Sequence, residues 1–283
     1  MNAIRRAGVC GWPIAHSRSP LIHGYWLKRY GINGAYERFG VPPLAFAEFV
    51  ASVGADGFVG FNVTVPHKET AYAACEKLSE AAQATGAVNT LWRDGAALSG
   101  DNTDVEGFLG SLDAEAPGWR DRVFRATVLG AGGAARAVVY GLKMRGVEEI
   151  VIVNRTKARA EALVARFGPT TRATAWGKLS AELPQTDLLI NTTTLGMVGQ
   201  PPLDFDLAPL KAKATVADIV YTPLATRLLE AARKRNLVTV GGLGMLLRQA
   251  APGFALWFGR TPEITKELRK LAEADLRAGG SGR

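Results

Sequence analysis

The sequence predicts an α/β fold in two domains, and three observations support that prediction. Short apolar runs alternate with helical patterns over most of the chain, as expected for parallel strands joined by crossover helices. The 283 residues exceed the usual length of one compact core and indicate about two domains. In the second half, a glycine-rich turn follows a strand and opens a helix, which marks a second series of β-α-β units.

In the first hundred residues, predicted strands and helices alternate at β-α-β spacing. Ser19 is expected to cap the first helix, with Pro20 at its first position. In order, the expected elements are a strand at 7–11, a helix at 19–30, a strand at 36–41, a helix at 44–53, a strand at 57–64, a helix at 69–85 and a hairpin at 87–98. This spacing predicts parallel pairing with right-handed crossovers.

The alternation continues beyond a composition break near residues 113–122, where proline, glycine and charges cluster. Strands are expected at 126–129, 150–153, 188–191, 215–219 and 238–240. Helices are expected at 134–144, 157–167, 226–234, 243–258 and 263–276. The Gly/Ser-rich tail at 278–283 is expected to fray.

Composition restricts the class of protein before any motif is considered. Apolar residues make up 47% of the chain and charged residues 21%, which excludes a disordered, collagenous or coiled-coil chain. The formal net charge is +8, but the basic residues are scattered and no Arg-rich run interleaves with aromatics, so we expect no nucleic-acid partner. The excess charge serves solubility or attracts small anions such as phosphates and carboxylates.

Cysteine content and hydropathy limit the metal sites and the location that we expect. Cys10 and Cys75 are too few for a disulfide framework or a four-cysteine zinc site, and no His/Cys/Asp group has metal-ligand spacing. No run reaches the roughly 18 apolar residues that a membrane span needs, and the first residues lack the sustained apolar segment of a signal peptide. We therefore expect a cytoplasmic enzyme with no metal and no membrane partner.

The glycine-rich turn Gly130-Ala131-Gly132-Gly133-Ala134-Ala135 fits the pattern G-x-G-x-x-A. Its place, directly after a predicted strand and at the start of a helix, is the context of a dinucleotide fingerprint. Gly130 permits the tight turn, Gly132 lets the backbone approach the pyrophosphate, and Ala135 is small enough for close packing of helix and strand. The helix N-terminus offers unpaired N–H groups and positive dipole to phosphates. The alternative is a glycine turn with a structural role alone.

The end of the next strand indicates which nicotinamide cofactor is bound. An NAD site usually places Asp or Glu there, on the ribose 2′-hydroxyl. Here the strand runs into Asn154-Arg155-Thr156, with Lys157 and Arg159 just beyond. A guanidinium can hold a 2′-phosphate through two hydrogen bonds, whereas a carboxylate would repel it. The pattern favours NADP over NAD, although each residue could instead belong to a solvated helix start with Thr156 as its cap.

Polar clusters in the first half indicate a site for a small, polyhydroxylated, anionic ligand. Hydroxyls, amides, one lysine and one aspartate suit such a ligand, and strand residues two apart share a face. Taken singly, each of these residues could be a turn or cap residue. The clusters are Ser17-Arg18-Ser19, Asn62-Val63-Thr64-Val65-Pro66-His67-Lys68 and Asn102-Thr103-Asp104.

In their order and spacing, these motifs resemble the shikimate dehydrogenase family over nearly the whole chain. The resemblance implies reversible, NADPH-dependent reduction of 3-dehydroshikimate to shikimate, a step of aromatic amino acid biosynthesis on the chorismate pathway. It also implies a substrate domain of residues 1–105 plus 241–283, a Rossmann-like NADP-binding domain of residues 106–240, and a cleft between them. The remaining motifs that carry the resemblance are Ser17-Arg18-Ser19-Pro20, Ala87-Val88-Asn89-Thr90, Gly100-Asp101-Asn102-Thr103-Asp104, and Gly242-Leu243-Gly244-Met245-Leu246 with Gln249.

Carried over position by position, the resemblance implies a role for each site residue. Lys68 and Asp104 match the catalytic pair of the family. The substrate contacts that it implies are Ser17, Ser19, Thr64, Asn89, Tyr221 and Gln249, with Asn62 lining the same pocket. The NADP(H) positions that it implies are Gly130, Ala131, Gly132, Gly133, Ala134, Asn154, Arg155, Thr156, Arg159, Ile219, Gly242 and, with no physical account, Glu80.

The chain departs from the family pattern at two places. Asn191-Thr192-Thr193-Thr194 has Thr at two positions where the family commonly has Ala and Ser, and both changes keep a small side chain. Gly24 follows His23 where Asn is usual, which puts in doubt only a local helix contact. We therefore expect cofactor binding to persist.

The reaction implied by the resemblance needs one group that donates a proton and one that holds this donor in place. Lys68 would stabilise the negative charge that develops on the carbonyl oxygen and deliver the proton, while Asp104 holds Lys68 and a substrate hydroxyl. His16 is interpreted as a loop residue, and His67 is expected to point away from Lys68. Two alternatives stay open: an NAD-using quinate/shikimate dehydrogenase, and a non-catalytic NADP-sensing protein. The oligomeric state is expected to be a monomer or a homodimer.

Overall fold

The computed structural model describes residues 4–280, and residues 1–3 and 281–283 lie outside this range. The chain divides into two compact units. The first unit comprises residues 4–104 and 247–272, and the second comprises residues 105–246 and 273–280. Residues 241–246 and 273–280 group with the second unit, whereas the domain assignment above places them in the substrate domain.

The first unit is built on a mixed six-stranded sheet. Its strands are β1 (Arg5–Gly11), β2 (Gly34–Gly40), β3 (Phe58–Val63), β4 (Lys77–Leu78), β5 (Thr90–Asp94) and β6 (Ala97–Asp101). They lie in the order β2-β1-β3-β5-β6-β4. β1 pairs in parallel with β2 and β3, which confirms the pairing expected from the spacing. β5 is antiparallel to β3 and to β6, so the predicted hairpin is present.

The helices of this unit depart from the predicted pattern at two points. They are α1 (Ser19–Tyr30), α2 (Phe46–Ala51), α3 (Lys68–Ala74) and α4 (Glu80–Thr85). The predicted cap of α1 is wrong: Arg18 holds the N-cap position, and Ser17 Oγ accepts the backbone N–H of Ser19 at 3.3 Å. The single helix predicted at 69–85 is also wrong, because Ser79 caps a separate α4 and the residues before it join the sheet as β4.

The second unit is built on a six-stranded sheet in which every pair is parallel. Its strands are β7 (Arg125–Leu129), β8 (Glu149–Asn154), β9 (Thr171–Ala175), β10 (Leu188–Asn191), β11 (Thr215–Asp218) and β12 (Val238–Val240). Their order is β12-β11-β10-β7-β8-β9. Counted from β7, this is the 3-2-1-4-5-6 arrangement of doubly wound, dinucleotide-binding sheets. The helices of this unit are α5 (Asp104–Glu115), α6 (Gly133–Met144), α7 (Lys157–Phe167), α8 (Leu179–Glu182) and α9 (Arg227–Lys234).

Two C-terminal helices follow, α10 (Gly242–Phe258) and α11 (Lys266–Gly280), and their residues 247–258 and 266–272 belong to the first unit. Trp257 of α10 is buried and donates its indole N–H to Leu91 O on β5 at 3.1 Å. Gly60 on β3 makes this approach possible, since a Cβ there would lie 2.0 Å from Trp257 Nε1. The tail expected to fray from residue 278 is helical through Gly280, and its remainder lies outside the described residues.

The length and hydropathy of the helices were compared with those of a membrane-spanning helix. Within residues 4–280, no helix is both long enough and apolar enough to cross a membrane.

Candidate functional site

The polar residues expected to bind substrate lie mainly at one edge of the first unit's sheet. Thr64 directly follows β3, Lys68 begins α3, and Asp104 begins α5 directly after the β6 segment. Asn89 precedes β5, whose antiparallel direction brings its start to the edge where β3 ends. Because carboxyl ends of parallel strands share an edge, this topology gathers residues that are far apart in the sequence.

Lys68 and Asp104 form a close ion pair at this edge. The Lys68 Nζ–Asp104 Oδ2 distance is 2.5 Å, and the side chains are only 17% and 8% exposed. Asp104 Oδ1 accepts a second hydrogen bond from Asn89 Nδ2 at 2.9 Å. The carboxylate is thus held from two sides, and the lysine retains N–H groups for a further acceptor.

The orientation of the Asn89 amide is fixed by groups that bond its oxygen. Asn89 Oδ1 accepts the backbone N–H of Thr103 at 2.8 Å and the Thr90 hydroxyl at 3.0 Å. Its Nδ2 therefore faces Asp104, and it also lies 3.5 Å from Gln249 Oε1. Thr90 and Thr103 lie within the sequence motifs, but only their hydrogen bonds in the fold show that they orient Asn89.

Asn62 was expected to line the substrate pocket, and its polar atoms are occupied within the protein. It is buried, with Oδ1 accepting the Tyr36 hydroxyl at 2.6 Å. Its Nδ2 donates to Asn89 O and to Thr90 Oγ1, each at 3.2 Å. Both N–H groups and one oxygen site are used, so Asn62 supports Asn89 rather than offering a free donor to a ligand.

Ser17, Ser19 and Thr64 present hydroxyls near the start of α1 and the end of β3. Ser17 Oγ donates to Ser19 Oγ at 3.3 Å, which pairs the two serines that were expected to share a carboxylate. The Thr64 methyl packs on Gly11, where a Cβ would lie 2.5 Å from Thr64 Cγ2. Among the described residues, the half-buried Thr64 hydroxyl has no hydrogen-bond partner, so it can bond a ligand.

Five other predicted positions are distributed over the two units. Gln249 is half-buried on α10 in the first unit, and Glu80 is exposed in the first turn of α4. Tyr221 is half-buried beyond β11 in the second unit, near Ile219 in the chain. Gly242 packs against the backbone that follows β11, because a Cβ there would lie 2.2 Å from Ile219 O.

The glycine turn of the second unit combines a glycine of positive φ with an open helix N-terminus. Gly130 directly follows β7 with a φ of +111°, a region that favours glycine, and a Cβ there would lie 2.7 Å from Thr192 Oγ1. At Gly132, the N-cap of α6, a Cβ would meet nothing within 4 Å, so the space above the turn is open. Ala135 is fully buried where α6 packs on the sheet. Gly133, Ala131 and Ala134 complete the turn.

The turn between β8 and α7 presents exposed cations beside this site. Asn154 ends β8 and its Nδ2 donates to Thr156 O at 2.9 Å, which closes the turn. Thr156 holds the N-cap position of α7 but makes no side-chain capping bond. Arg155 and Arg159 are exposed and, among the described residues, have no acidic partner. Two unpaired guanidinium groups fit the 2′-phosphate of NADP and give no reason to prefer NAD.

The histidines beside the motifs are placed as expected. His67 is buried, with Nε2 2.7 Å from Val41 O and its ring stacked on Phe46 at 4.4 Å. His16 lies in an exposed loop. Within residues 4–280, no group of three His, Cys, Asp or Glu side chains is arranged to hold a metal ion.

The second unit contains a buried aspartate, Asp218, that no sequence motif indicates. Asp218 ends β11 and accepts hydrogen bonds from Asn191 Nδ2 at 2.9 Å, Val220 N at 3.0 Å and the Thr226 hydroxyl at 2.7 Å. Burial raises the pKa of Asp218 from 3.8 to about 6, and the hydrogen bonds from Thr226, Val220 and Asn191 oppose that rise. Asn191 Oδ1 also accepts from the Thr193 hydroxyl at 2.7 Å, so Thr193 helps to shape this loop.

Comparison with known families matches three successive parts of the chain. The shikimate dehydrogenase substrate binding domain matches residues 9–91, and shikimate / quinate 5-dehydrogenase matches residues 120–197. The shikimate 5′-dehydrogenase C-terminal domain matches residues 242–271. Over 273 residues, the chain is 57% identical to the shikimate dehydrogenase (NADP(+)) of Nitrobacter hamburgensis, which covers 96% of this chain and 95% of that protein.

Two solved structures are similar over almost the full length. Shikimate 5-dehydrogenase from Thermus thermophilus, in complex with NADP(H) and shikimate, has a TM-score of 0.85 and 36% identity, covering 97% of this chain and 99% of that chain. Quinate dehydrogenase from Corynebacterium glutamicum, in complex with NAD, has a TM-score of 0.87 and 28% identity, covering 96% and 100%.

Proposed function

Because the chain belongs to the shikimate dehydrogenase family, we propose that it catalyses the reversible, NADP-dependent interconversion of shikimate and 3-dehydroshikimate. It is an oxidoreductase that acts on a CH–OH group and contributes to aromatic amino acid biosynthesis. The observation that carries the proposal is the close, largely buried Lys68–Asp104 ion pair. A surface ion pair would not need to be withdrawn from solvent, whereas a proton-transfer group benefits from that setting.

In this proposal the first unit binds the substrate. Ser17 and Ser19 bind its carboxylate, since their paired hydroxyls can both turn toward an anion. The Thr64 hydroxyl, Asn89 and Gln249 bond the ring hydroxyls, and the family resemblance also implies a contact from Tyr221. Asn62 acts indirectly, through its bonds to Asn89 and Thr90.

The second unit holds NADP(H). The turn from Gly130 to Ala134 and the N-terminus of α6 would bind the pyrophosphate, because unpaired N–H groups and the helix dipole converge there. Asn154, Arg155, Thr156 and Arg159 would bind the ribose 2′-phosphate. Ile219 and Gly242 would line the nicotinamide end. For Glu80, the exposed place in α4 of the first unit supplies no physical reason for a cofactor role.

When bound, NADPH supplies the hydride for reduction of the carbonyl carbon. Lys68 stabilises the negative charge that grows on the carbonyl oxygen and donates the proton from Nζ. Asp104 holds the ammonium group in place through Oδ2, and the Asn89 amide keeps that carboxylate from turning. The reverse direction uses the same groups, with Lys68 accepting the proton.

We further propose a cytoplasmic setting and a monomer or homodimer without nucleic-acid or membrane partners. A biosynthetic reductase draws on the metabolic pool of reduced cofactor, which supports this setting. The scattered basic residues support an enzyme that attracts small anionic ligands rather than a polyanion.

The decisive experiment follows the absorbance of reduced nicotinamide with purified protein. Shikimate and quinate are each offered with NADP and with NAD. We expect rapid turnover of shikimate with NADP and much slower turnover in the other three combinations. Comparable turnover of quinate with NAD would favour a quinate/shikimate dehydrogenase instead. Cofactor binding without turnover of either substrate would contradict the proposal and favour an NADP-sensing protein.

A further inference from the structure

A chain of buried hydrogen bonds connects the proposed catalytic pair to a tyrosine on β2. The hydroxyl of Tyr36, which is buried, donates to Asn62 Oδ1 at 2.6 Å. Asn62 Nδ2 donates to Thr90 Oγ1 at 3.2 Å, and the Thr90 hydroxyl donates to Asn89 Oδ1 at 3.0 Å. Asn89 Nδ2 then donates to Asp104 Oδ1 at 2.9 Å. Tyr36, Asn62, Thr90 and Asn89 thus form a continuous chain of hydrogen bonds that ends at the Asp104 carboxylate.

Every donor in this chain points in the same direction, from Tyr36 toward Asp104. Reversal of one amide would place two oxygens against each other, and at Asn89 it would set an amide oxygen against the carboxylate. Backbone groups fix this direction at both amides, since Asn89 Oδ1 accepts the Thr103 N–H and Asn62 Nδ2 donates to Asn89 O. Tyr36 donates to the oxygen of Asn62 at the far end, and its removal would take away the 2.6 Å hydrogen bond that holds this buried amide in place.

The surroundings of Tyr36 keep its hydroxyl protonated and its ring fixed. The ring of His23 stacks flat on it, with centroids 3.9 Å apart and planes 4° apart. Burial raises the pKa of Tyr36 well above its ordinary value. Burial also lowers the pKa of His23 to about 3, so the stacked imidazole carries no charge near neutral pH. The phenol therefore remains a donor across the range in which an enzyme operates.

We propose that Tyr36 is a positioning residue for the catalytic pair. Its hydroxyl holds the side chain of Asn62 in place, and through Thr90 and Asn89 this bond helps to keep the Asp104 carboxylate against Lys68. Tyr36 acts through these residues and contacts no reacting atom. The inference rests on the proposed function, because it gives Lys68 and Asp104 the roles stated above.

The first test compares Tyr36→Phe with Tyr25→Phe. Tyr25 offers a matched control, since its hydroxyl bonds Thr265 Oγ1 at 2.9 Å in the same unit but joins no chain to Asp104. We expect Tyr36→Phe to lower kcat for shikimate oxidation about tenfold, the usual effect of one hydrogen bond on a barrier. The KM for NADP should stay within about twofold. Tyr25→Phe should leave kcat unchanged.

A second pair of variants interrupts the same chain closer to the pair. Thr90→Val removes the hydroxyl with little change of shape, and Thr90→Ser retains it. We expect Thr90→Val to lower kcat as Tyr36→Phe does and Thr90→Ser to restore most of it. The double variant Tyr36→Phe/Thr90→Val should lose little more than the worse single variant, because both break one path.

Three results would overturn the inference. The first is a kcat for Tyr36→Phe equal to that of Tyr25→Phe. The second is a raised KM for shikimate with kcat intact, which would make Tyr36 a binding residue. The third is a crystal structure of Tyr36→Phe in which the bonds from Asn62 to Asp104 are unchanged. That structure tests the positioning role of Tyr36 even if the wild-type protein does not oxidise shikimate. Failure of the wild-type protein to oxidise shikimate would contradict the proposed function and not the positioning role.

Discussion

At the scale of single residues, two lysine–aspartate pairs of the first unit differ in their access to solvent. Lys68 and Asp104 are 2.5 Å apart with side chains 17% and 8% exposed. Lys77 and Asp94 are 2.7 Å apart with side chains 59% and 60% exposed. Exposed pairs contribute little to stability because water and salt screen them. The second pair is therefore a matched control for the first.

Replacement of Lys68 by Met should remove the proton donor while keeping the length of the side chain. We expect Lys68→Met to lower kcat at least 100-fold, the usual contribution of a general acid. Lys77→Met should leave kcat within about twofold. Steady-state kinetics with shikimate and NADP measure both. A variant with raised KM and intact kcat would show that Lys68 binds the substrate without taking part in proton transfer.

The site could be predicted only as far as the sequence carries local motifs. Lys68, Asp104 and Asn89 lie in recognisable segments, and the structure brings them together. Tyr36 could not be predicted, because its partner Asn62 is 26 residues away and no local pattern marks a tyrosine that donates to an amide. The interpretation of Asn62 as a pocket residue had the same weakness, since its partners come from two distant segments.

At the scale of elements, the exposed β8–α7 segment carries the residues that we expect to distinguish NADP from NAD. Arg155 and Arg159 project from this turn, and the described residues supply no carboxylate to neutralise them. A bound 2′-phosphate would provide that charge. NAD lacks the phosphate, so it gains nothing from the two cations.

The double variant Arg155→Ala/Arg159→Ala should weaken NADP binding selectively. Loss of charge-assisted hydrogen bonds should raise the KM for NADP about ten- to 100-fold, and the KM for NAD should change little. Arg120→Ala is the control, because Arg120 is exposed in the turn before β7, at the opposite edge of the sheet. An equal rise of both KM values would contradict the assignment of these arginines to the 2′-phosphate.

Elements that begin at a recognisable boundary signal were predicted well, and two elements without one were missed. The expected helix at 19–30 matches α1, and the helix at 157–167 matches α7. β9 was missed because only its first residue, Thr171, is buried, so it lacks the apolar run of the other strands. α5 was missed because Gly107 and Gly110 interrupt its apolar spacing, although tertiary packing keeps it helical.

At the scale of the whole molecule, Asp218 links the free energy of unfolding to pH. Its pKa is about 6 in the folded protein against 3.8 ordinarily, so the folded state binds the proton more tightly. The resulting stabilisation is fully present below about pH 4 and is lost as pH rises through 6. A difference of about two pKa units corresponds to about 3 kcal/mol.

Asp218→Asn should isolate this contribution, because the amide cannot ionise. We expect the difference in unfolding free energy between wild type and variant to fall by about 3 kcal/mol from pH 4 to pH 8. Denaturant titrations at several pH values measure it. A difference that does not vary with pH would mean that the three hydrogen bonds to Asp218 offset its burial.

The division of the chain between the two units affects how the protein is made. During synthesis, residues 105–246 leave the ribosome before residues 247–272, which carry Trp257 and its bond to Leu91. Domains generally fold in the order in which they emerge. Here residues 4–104 emerge first but lack the α10 residues that pack on their sheet. That face of the sheet therefore stays uncovered until translation is nearly complete. The half of the protein that is translated first is therefore the half that matures last.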